Sequence, residues 1–347
     1  MIFSQLGLSA FQNKVYADVG SARAAPTGDV ELVQCDKTGL VFNRLFNPEL
    51  LVYDEDYQNE QALAPVFQTH LHDALHVIET HLKKDAVGVE IGCGKGVFLR
   101  LLTHAGYQVT GLDPAYQGDD PRIERQLYDA HYTGPSPDFI VLRHVLEHIA
   151  DPWGFLADVA SHSSPDCIIY IEVPCFDWIA RRANFFDVFY EHVNYFTADV
   201  LNAAFGEVSA TGTLFGEQYL FIVARLSTFL QPRLQRGVGS LQARMTQKRL
   251  RILEQLRPAP TFVWGAGAKG VTFANILWRE NVKIEALIDI NPVKQGKHIA
   301  VSGLPVVSPD RASLGPCNVV VMNSMYEAAA RRCFSSPRSN LVLADAP

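Results

Sequence analysis

Three groups of residues have the types and spacing to do chemistry. Glu90-Ile91-Gly92-Cys93-Gly94-Lys95-Gly96 is answered downstream by Asp113, and Gly265-Ala266-Gly267-Ala268-Lys269-Gly270 by Asp289. Each glycine run follows a short β-branched stretch and opens a helix-like one. Glycine lets the backbone approach a ligand there, and the helix N-terminus offers amide donors with no partner inside the helix. The acid after the next strand stands where a carboxylate accepts ribose hydroxyls. Two nucleotide-type pockets are therefore expected. Between them, Glu191-His192 sits in an insertion, Val173 to Phe205, crowded with aromatics: Phe176, Trp178, Phe185, Phe186, Phe189, Tyr190, Tyr195 and Phe196. An imidazole titrating near neutrality in a partly dry pocket suits a general base. Taken alone, one histidine among 11 is more simply a surface or packed residue.

The loops differ at one informative position. Glu90, two residues before the first glycine, adds a carboxylate from which a pyrophosphate would gain nothing. Cationic S-adenosylmethionine, with an amino-acid end and no phosphate, fits it. Glu90, Gly92, Cys93, Gly94, Gly96 and Asp113 thus read as an S-adenosylmethionine site. The second loop, with Asp289 19 residues after Gly270, is the better dinucleotide fingerprint. An NAD-dependent activity stays open on that ground. Against it, a unit of about 87 residues provides only one mononucleotide half, and Lys269 at the helix start suits terminal or bridging phosphates. A structural remnant that only covers the core is a further reading.

A third pattern, His144-x-x-Glu147-His148, is formally an inverted zincin motif. A hydrolytic metal site would need it inside a helix with a third ligand downstream. Here it starts at a strand's end and stops at Asp151-Pro152, so no metal is expected.

The elements that must position these groups follow from periodicity. Strand-like segments (Ala86 to Ile91, Gln108 to Leu112, Asp138 to Leu142, Cys167 to Val173) alternate with helix-like ones, which means βαβ units and a parallel sheet. A hairpin, Val208 to Leu214 with Tyr219 to Arg225, closes this unit. Upstream, apolar residues at helical spacing from Gln61 to Lys84 predict an amphipathic helix interrupted early by Pro65. Gln231 to Arg257 carries seven basic residues against the single acid Glu254. It reads as an interdomain helix or helix pair with a solvated cationic face. A second βαβ-type unit runs from Thr261 through Lys283 to Asp289, Val319 to Met322 and Leu341 to Leu343. The expected class is α/β, in four parts: a small N-terminal domain (1–60), a cofactor-binding core (61–226), a linking helix (227–258) and a C-terminal Rossmann-like domain (259–347).

Composition narrows the partners. The 347 residues are 48% hydrophobic, with 30 basic against 37 acidic residues and a net charge of −7. That balance argues against a nucleic-acid or anionic-membrane footprint. No apolar run approaches the roughly 20 residues of a membrane span. Met1 to Phe11 lacks the marks of a signal peptide, and the six cysteines form no C-x-x-C pair. A cytoplasmic protein with free thiols is expected.

The segment Asp138 to Pro152 resembles the fourth strand and following turn of class I methyltransferases, which flank the cofactor; this adds His144 to the expected cofactor set. Tyr190-Glu191-His192-Val193-Asn194-Tyr195-Phe196, the two loops, and Asp289-Ile290-Asn291-Pro292-Val293-Lys294-Gln295-Gly296-Lys297 look like the sugar C-methyltransferase family, which acts on nucleotide-linked keto-deoxysugars in natural-product biosynthesis. The likeness covers nearly the whole chain. It implies a class I methyltransferase core between an N-terminal zinc-binding domain and a C-terminal Rossmann-like domain. A monomer or homodimer is expected. The likeness further implies that His192 removes a proton alpha to a ketone, with Glu191 as its catalytic neighbour and Tyr57 orienting the substrate. The C-terminal domain would hold the nucleotide diphosphate through Gly267, Lys269, Asp289 and Lys294. Three departures stand out. Only Cys35, in Cys35-Asp36-Lys37-Thr38-Gly39, survives of four zinc thiolates, so zinc is not expected. Phe189 replaces a tyrosine found in some members, and Gly216-Glu217-Gln218-Tyr219 replaces a His-Gly-Gly stretch. These changes bear on the substrate more than on the reaction. An O- or N-methyltransferase, or a non-catalytic nucleotide-sugar binding protein, remains an alternative.

Overall fold

The computed structural model describes all residues except 52–61, 130–131, 235–236, 313–314, 335, 337 and 347. The strands Val87–Ile91, Gln108–Leu112, Phe139–Arg143 and Ile168–Pro174 lie parallel, with the hairpin Val208–Leu214 and Tyr219–Arg225 added antiparallel at one edge and the short Ile123–Glu124 at the other. From edge to edge the order is Val208–Leu214, Tyr219–Arg225, Ile168–Pro174, Phe139–Arg143, Val87–Ile91, Gln108–Leu112, Ile123–Glu124. The strand order reverses direction on either side of Val87–Ile91, and such switch points open a crevice at the carboxyl ends. The first glycine loop leaves from that point.

Helix Pro65–His81 covers one face of this sheet through Phe67, Leu71, Ala74, Leu75 and Ile78. Pro65 starts the helix instead of interrupting it, because a first-turn proline loses no hydrogen bond. The expected cationic helix is shorter than its charge pattern, Gln242–Glu254. Pro232, Gly237 and Gly239 fall in the coil before it. Its cationic face is also only partly solvated: Lys248 is buried and donates to Ala346 O.

The C-terminal unit holds five parallel strands, ordered Val306–Val307, Ala286–Ile288, Thr261–Trp264, Cys317–Val321 and Ser339–Leu343. The N-terminal strands Phe3–Ser9, Thr27–Gln34 and Val41–Asn43 form an antiparallel sheet whose fourth member, Asn194–Tyr195, comes from the aromatic insertion. Val15–Tyr16 pairs with His298–Ile299 of the C-terminal unit. The N-terminal segment thus joins the other two units at the insertion. Buried apolar contact runs without a break from Phe3 through Leu142 to Phe273. Among the described residues, no helix is long and apolar enough to cross a membrane.

Candidate functional site

The first loop turns back over its own strand through three left-handed glycines, Gly92, Gly94 and Gly96. Gly92 N donates to Leu112 O at 2.7 Å, and a Cβ there would stand 2.4 Å from Val145 Cγ2. A Cβ on Gly94 would meet nothing within 4 Å, so the loop is open at its middle. Asp113 faces it and accepts from Gly94 N and Ala115 N, each at 2.8 Å. Each carboxylate oxygen keeps further acceptor capacity. Below the loop Glu90 is buried, and its Oε2 has no hydrogen bond. Burial, reinforced by Asp113 and opposed by Arg143, pushes its carboxyl up to about 8. An orphaned buried acid beneath an open glycine turn fits a ligand with a cationic amino-acid end. Cys93 is also buried, its thiol raised by burial and by Glu90 and Asp113.

Beside Glu90 lies a network of buried charge. Glu172 is fully buried in the strand Ile168–Pro174, accepts from Arg143 Nη2 at 2.7 Å, His70 Nε2 at 3.1 Å and Tyr170 OH at 2.8 Å, and stands 3.0 Å from His144 Nε2 as an ion pair. Burial works to raise the Glu172 carboxyl, but Arg143, His144 and His70 hold it well below the usual carboxylate range. His144 has a left-handed backbone, φ +55°, which turns its ring toward Glu172 and against Tyr219. Burial opposes its protonation; Glu147 and Glu172 overcome that and push it up to about 9. Arg143 also stacks over Phe98, the second residue of the helix that follows the loop.

The aromatic insertion crosses the carboxyl ends of these strands. Glu191 is buried, and its Oε2 accepts from Gln12 N of the N-terminal segment at 3.0 Å. Val193 N donates to Glu147 O at 2.9 Å, and Asn43 N donates to Val193 O at 2.8 Å. His192 is thereby fixed between two domains, edge-on to His148 (4.9 Å between centroids) and Phe189 (4.8 Å). Burial and the neighbouring His148 push the His192 imidazole down to about 3, against the pull of Glu147. It is therefore neutral, and burial makes it a weaker base than the imidazole titrating near neutrality expected from the sequence. His148 donates from Nδ1 to Glu191 O at 2.8 Å, which leaves Nε2 as its acceptor.

The second loop repeats the plan of the first. Gly265 N donates to Ile288 O at 2.7 Å, and Asp289 accepts from Ala266 N and Asn291 N, each at 2.8 Å. A Cβ on Gly267 would lie 3.8 Å from Asn13 Oδ1, next to the residue that holds Glu191. The loop therefore borders the aromatic insertion across the N-terminal segment. Lys269 Nζ reaches Asp187 Oδ1 and Gln218 Oε1, each at 2.8 Å, over the Trp178 ring. Lys294 is buried beneath the loop with Nζ on Ala266 O at 2.9 Å. Gln218, from the Gly216-Glu217-Gln218-Tyr219 stretch, also exchanges two hydrogen bonds with Asn323, so this stretch forms the joint between core and C-terminal unit.

Glu90, Gly92, Cys93, Gly94, Gly96, Asp113 and His144 all lie at or just beyond the carboxyl ends of the parallel strands, and Glu191 and His192 lie in the insertion that bonds to Glu147, three residues after His144. Tyr57 lies outside the described residues. Cys35 forms a tight turn closed by Gly39 N to Cys35 O at 2.9 Å. Sequence reasoning missed the hub, Glu172, and its partner His70. A single acid in the apolar run Ile168-Ile169-Tyr170-Ile171-Glu172-Val173 was an available signal, because a buried carboxylate must be paired.

Residues 59–208 match the family model of a methyltransferase domain, and residues 239–326 that of a C-methyltransferase C-terminal domain. The C-methyltransferase NovU of Streptomyces niveus is 30% identical over 131 residues, 34% of this chain and 31% of that protein, so the match spans about a third of the relative's length. Among solved structures, the N-methyltransferase NodS from Bradyrhizobium japonicum WM9 is 16% identical, with 49% of this chain and 98% of that one covered at a TM-score of 0.35. The Burkholderia thailandensis 1,6-didemethyltoxoflavin-N1-methyltransferase, solved with bound S-adenosylhomocysteine, is 16% identical over 56% of this chain and 98% of that one, at a TM-score of 0.37.

Proposed function

We propose that this chain, a class I S-adenosylmethionine-dependent methyltransferase with a C-methyltransferase C-terminal domain, methylates a carbon alpha to a ketone in a nucleotide-activated sugar. Bound S-adenosylmethionine supplies an electrophilic methyl group on its sulfonium. Glu90 takes the cofactor's cationic amino-acid end, Gly92, Cys93, Gly94 and Gly96 shape the turn that approaches it, and Asp113 accepts from its ribose. His144, tied to Glu172 and Glu147, forms the wall between this cradle and the aromatic insertion.

His192 takes the alpha proton onto its imidazole, leaving the electron pair on the acceptor as an enolate. The observation that carries this reading is the setting of that imidazole: neutral, at the carboxyl ends of the sheet, and held by Gln12 through Glu191 on one side and by Glu147 O through Val193 on the other. The buried Glu147 carboxylate nearby stabilises the imidazolium that results. Glu191 is a positioning residue, and Tyr57 orients the ketone. On the acceptor side the second loop supplies Gly267 and Lys269, with Asp289 and Lys294 holding its shape. The match to a C-methyltransferase C-terminal domain and the likeness to NovU support transfer to carbon.

The test is incubation with labelled S-adenosylmethionine and a panel of nucleotide-linked ketosugars, with the label located by mass spectrometry. The expected product carries the methyl group on a carbon next to the ketone, and His192→Ala abolishes its formation by at least ~100-fold. Label on oxygen or nitrogen would overturn C-methylation and leave the cofactor assignment in place.

A further inference from the structure

The His144-x-x-Glu147-His148 motif does not lie in a helix interior, and its first histidine turns away to Glu172. Its other two residues are left facing His192. Glu147 is 1% exposed, and neither of its carboxylate oxygens has a hydrogen bond. Its nearest charged neighbour, His144 Nδ1, stands 3.4 Å from Oε1, too far and too poorly aligned for a strong bond. A buried ionised carboxylate in that state costs several kcal/mol unless something polar faces it. The ion pair with His144 offsets part of that cost, and a pair of imidazoles faces the carboxylate as well. His148 donates from Nδ1 to the Glu191 carbonyl, leaving its Nε2 lone pair available. Metal-binding histidines are oriented by this kind of outer hydrogen bond. His192 Nδ1 is buried and without a partner. One ligand atom from each of Glu147, His148 and His192 lies within 4.8 Å of the others. Nitrogen and oxygen ligands ~2.1 Å from a tetrahedral zinc ion stand about 3.4 Å apart, so side-chain movements of roughly 1 Å close the set.

We propose that Glu147, His148 and His192 form a two-histidine, one-carboxylate site for a divalent transition-metal ion. The third ligand that the motif lacks in sequence is supplied by the aromatic insertion, 44 residues after His148. Imidazole and carboxylate together select zinc, cobalt or nickel over magnesium and calcium. The consequence for turnover rests on the reading of His192 as the base. A ring nitrogen that gives its lone pair to a metal cannot take a proton, and the remaining N–H nitrogen has none to give. Metal occupancy and proton abstraction by His192 then exclude each other, which makes the site inhibitory.

The experiment is titration of the chelator-stripped full chain with zinc chloride by calorimetry, repeated with cobalt chloride and read by visible absorption. One equivalent is expected to bind, with Glu147→Gln and His148→Ala each weakening it at least ~10-fold. Cys35→Ser serves as the control for the remnant thiolate turn and leaves binding unchanged. Thermal midpoints of all variants separate lost ligands from lost folding. The proposal fails if no stoichiometric zinc binds, or if binding survives both Glu147→Gln and His148→Ala in folded protein. Turnover separates the two readings. Inhibition by zinc that a chelator reverses supports both. If zinc instead restores turnover to stripped enzyme, the metal site stands and the free His192 base falls. If zinc does not bind while His192→Ala abolishes turnover, the base stands and the metal site falls.

Discussion

In the first glycine loop, Asp113 accepts from Gly94 N and Ala115 N; in the second, Asp289 accepts from Ala266 N and Asn291 N, at the same 2.8 Å. The leading glycines make equivalent bonds to the end of the neighbouring strand, Gly92 N to Leu112 O and Gly265 N to Ile288 O. What lies beneath the two turns is opposite in sign and in use. Under the first, Glu90 carries a carboxylate oxygen with no partner, and Gly94 opens onto free space. Under the second, Lys294 donates to Ala266 O, and Lys269 is held by Asp187 and Gln218. The same backbone plan therefore serves two ends. Under the first loop polar groups remain unengaged, as a ligand cradle requires; under the second they close on one another, so an acceptor there would have to displace these contacts.

Gly270 of the second run and Gly94 of the first give the largest contrast. A Cβ on Gly270 would stand 1.8 Å from Gly265 O, a backbone atom that cannot move without opening the turn. Gly270→Ala is expected to cost at least ~3 kcal/mol, seen as a fall in the thermal midpoint, or to prevent folding. Gly94→Ala has space and must only adopt a left-handed backbone, at about 1 kcal/mol. Equal losses would mean that both loops are structural joints.

The paired acids come next. Asp113→Ala should weaken S-adenosylmethionine binding by at least ~100-fold in calorimetry, because it removes both the brace on Gly94 and the ribose acceptor. Asp289→Ala should leave that affinity within about twofold and lower stability by about 1–2 kcal/mol. A large effect of Asp289→Ala on cofactor affinity would erase the distinction between the loops.

Much of this contrast was legible in the sequence. The strands Gln108–Leu112 and Thr261–Trp264 and both strands of the core hairpin fall where apolar periodicity places them, because βαβ units write a strong alternating pattern. The first loop's acid was readable from Glu90 alone. What escaped were pairings of two or three residues between distant segments, such as Asn194–Tyr195 with Val41–Asn43 and His298–Ile299 with Val15–Tyr16. Such short strands carry no period, and they are made by tertiary contact. The destinations of Lys269 and Lys294 escaped for a related reason. A lysine near a glycine loop looks the same in sequence whether it reaches outward or is buried beneath.

Glu90 turns the comparison into a pH effect. Its folded carboxyl titrates at about 8, far above the ordinary carboxylate value, so between about pH 5 and 8 the folded state binds more protons than the unfolded one. Its contribution is fully present below pH 4.5 and is lost as pH rises through 8. Glu90→Gln should therefore flatten the stability profile and raise the midpoint at pH 8. Cofactor binding has the opposite preference, because a cationic ligand favours the ionised acid. Affinity should rise with pH below about 8, by up to about tenfold per unit, with a proton released. Calorimetry at pH 7 in two buffers of different ionisation enthalpy measures that proton. Release that persists in Glu90→Gln would assign it to another group.

Lys294 is where the smallest effect is expected, and its smallness is the informative part. The side chain is buried; burial lowers its affinity for a proton and Asp289 only partly compensates. Replacing it with methionine removes one hydrogen bond, worth about 1 kcal/mol, and relieves a buried charge of comparable cost. Lys294→Met should thus change stability by no more than about 1 kcal/mol and leave S-adenosylmethionine affinity unaltered. Acceptor KM discriminates the two uses of the loop. If Lys294 only fastens Ala266, KM moves about twofold at most; if the loop opens and the ammonium reaches a phosphate, KM rises more than about tenfold, as for a charge-assisted bond. The second outcome would make the C-terminal loop a second cradle, closed until the acceptor arrives.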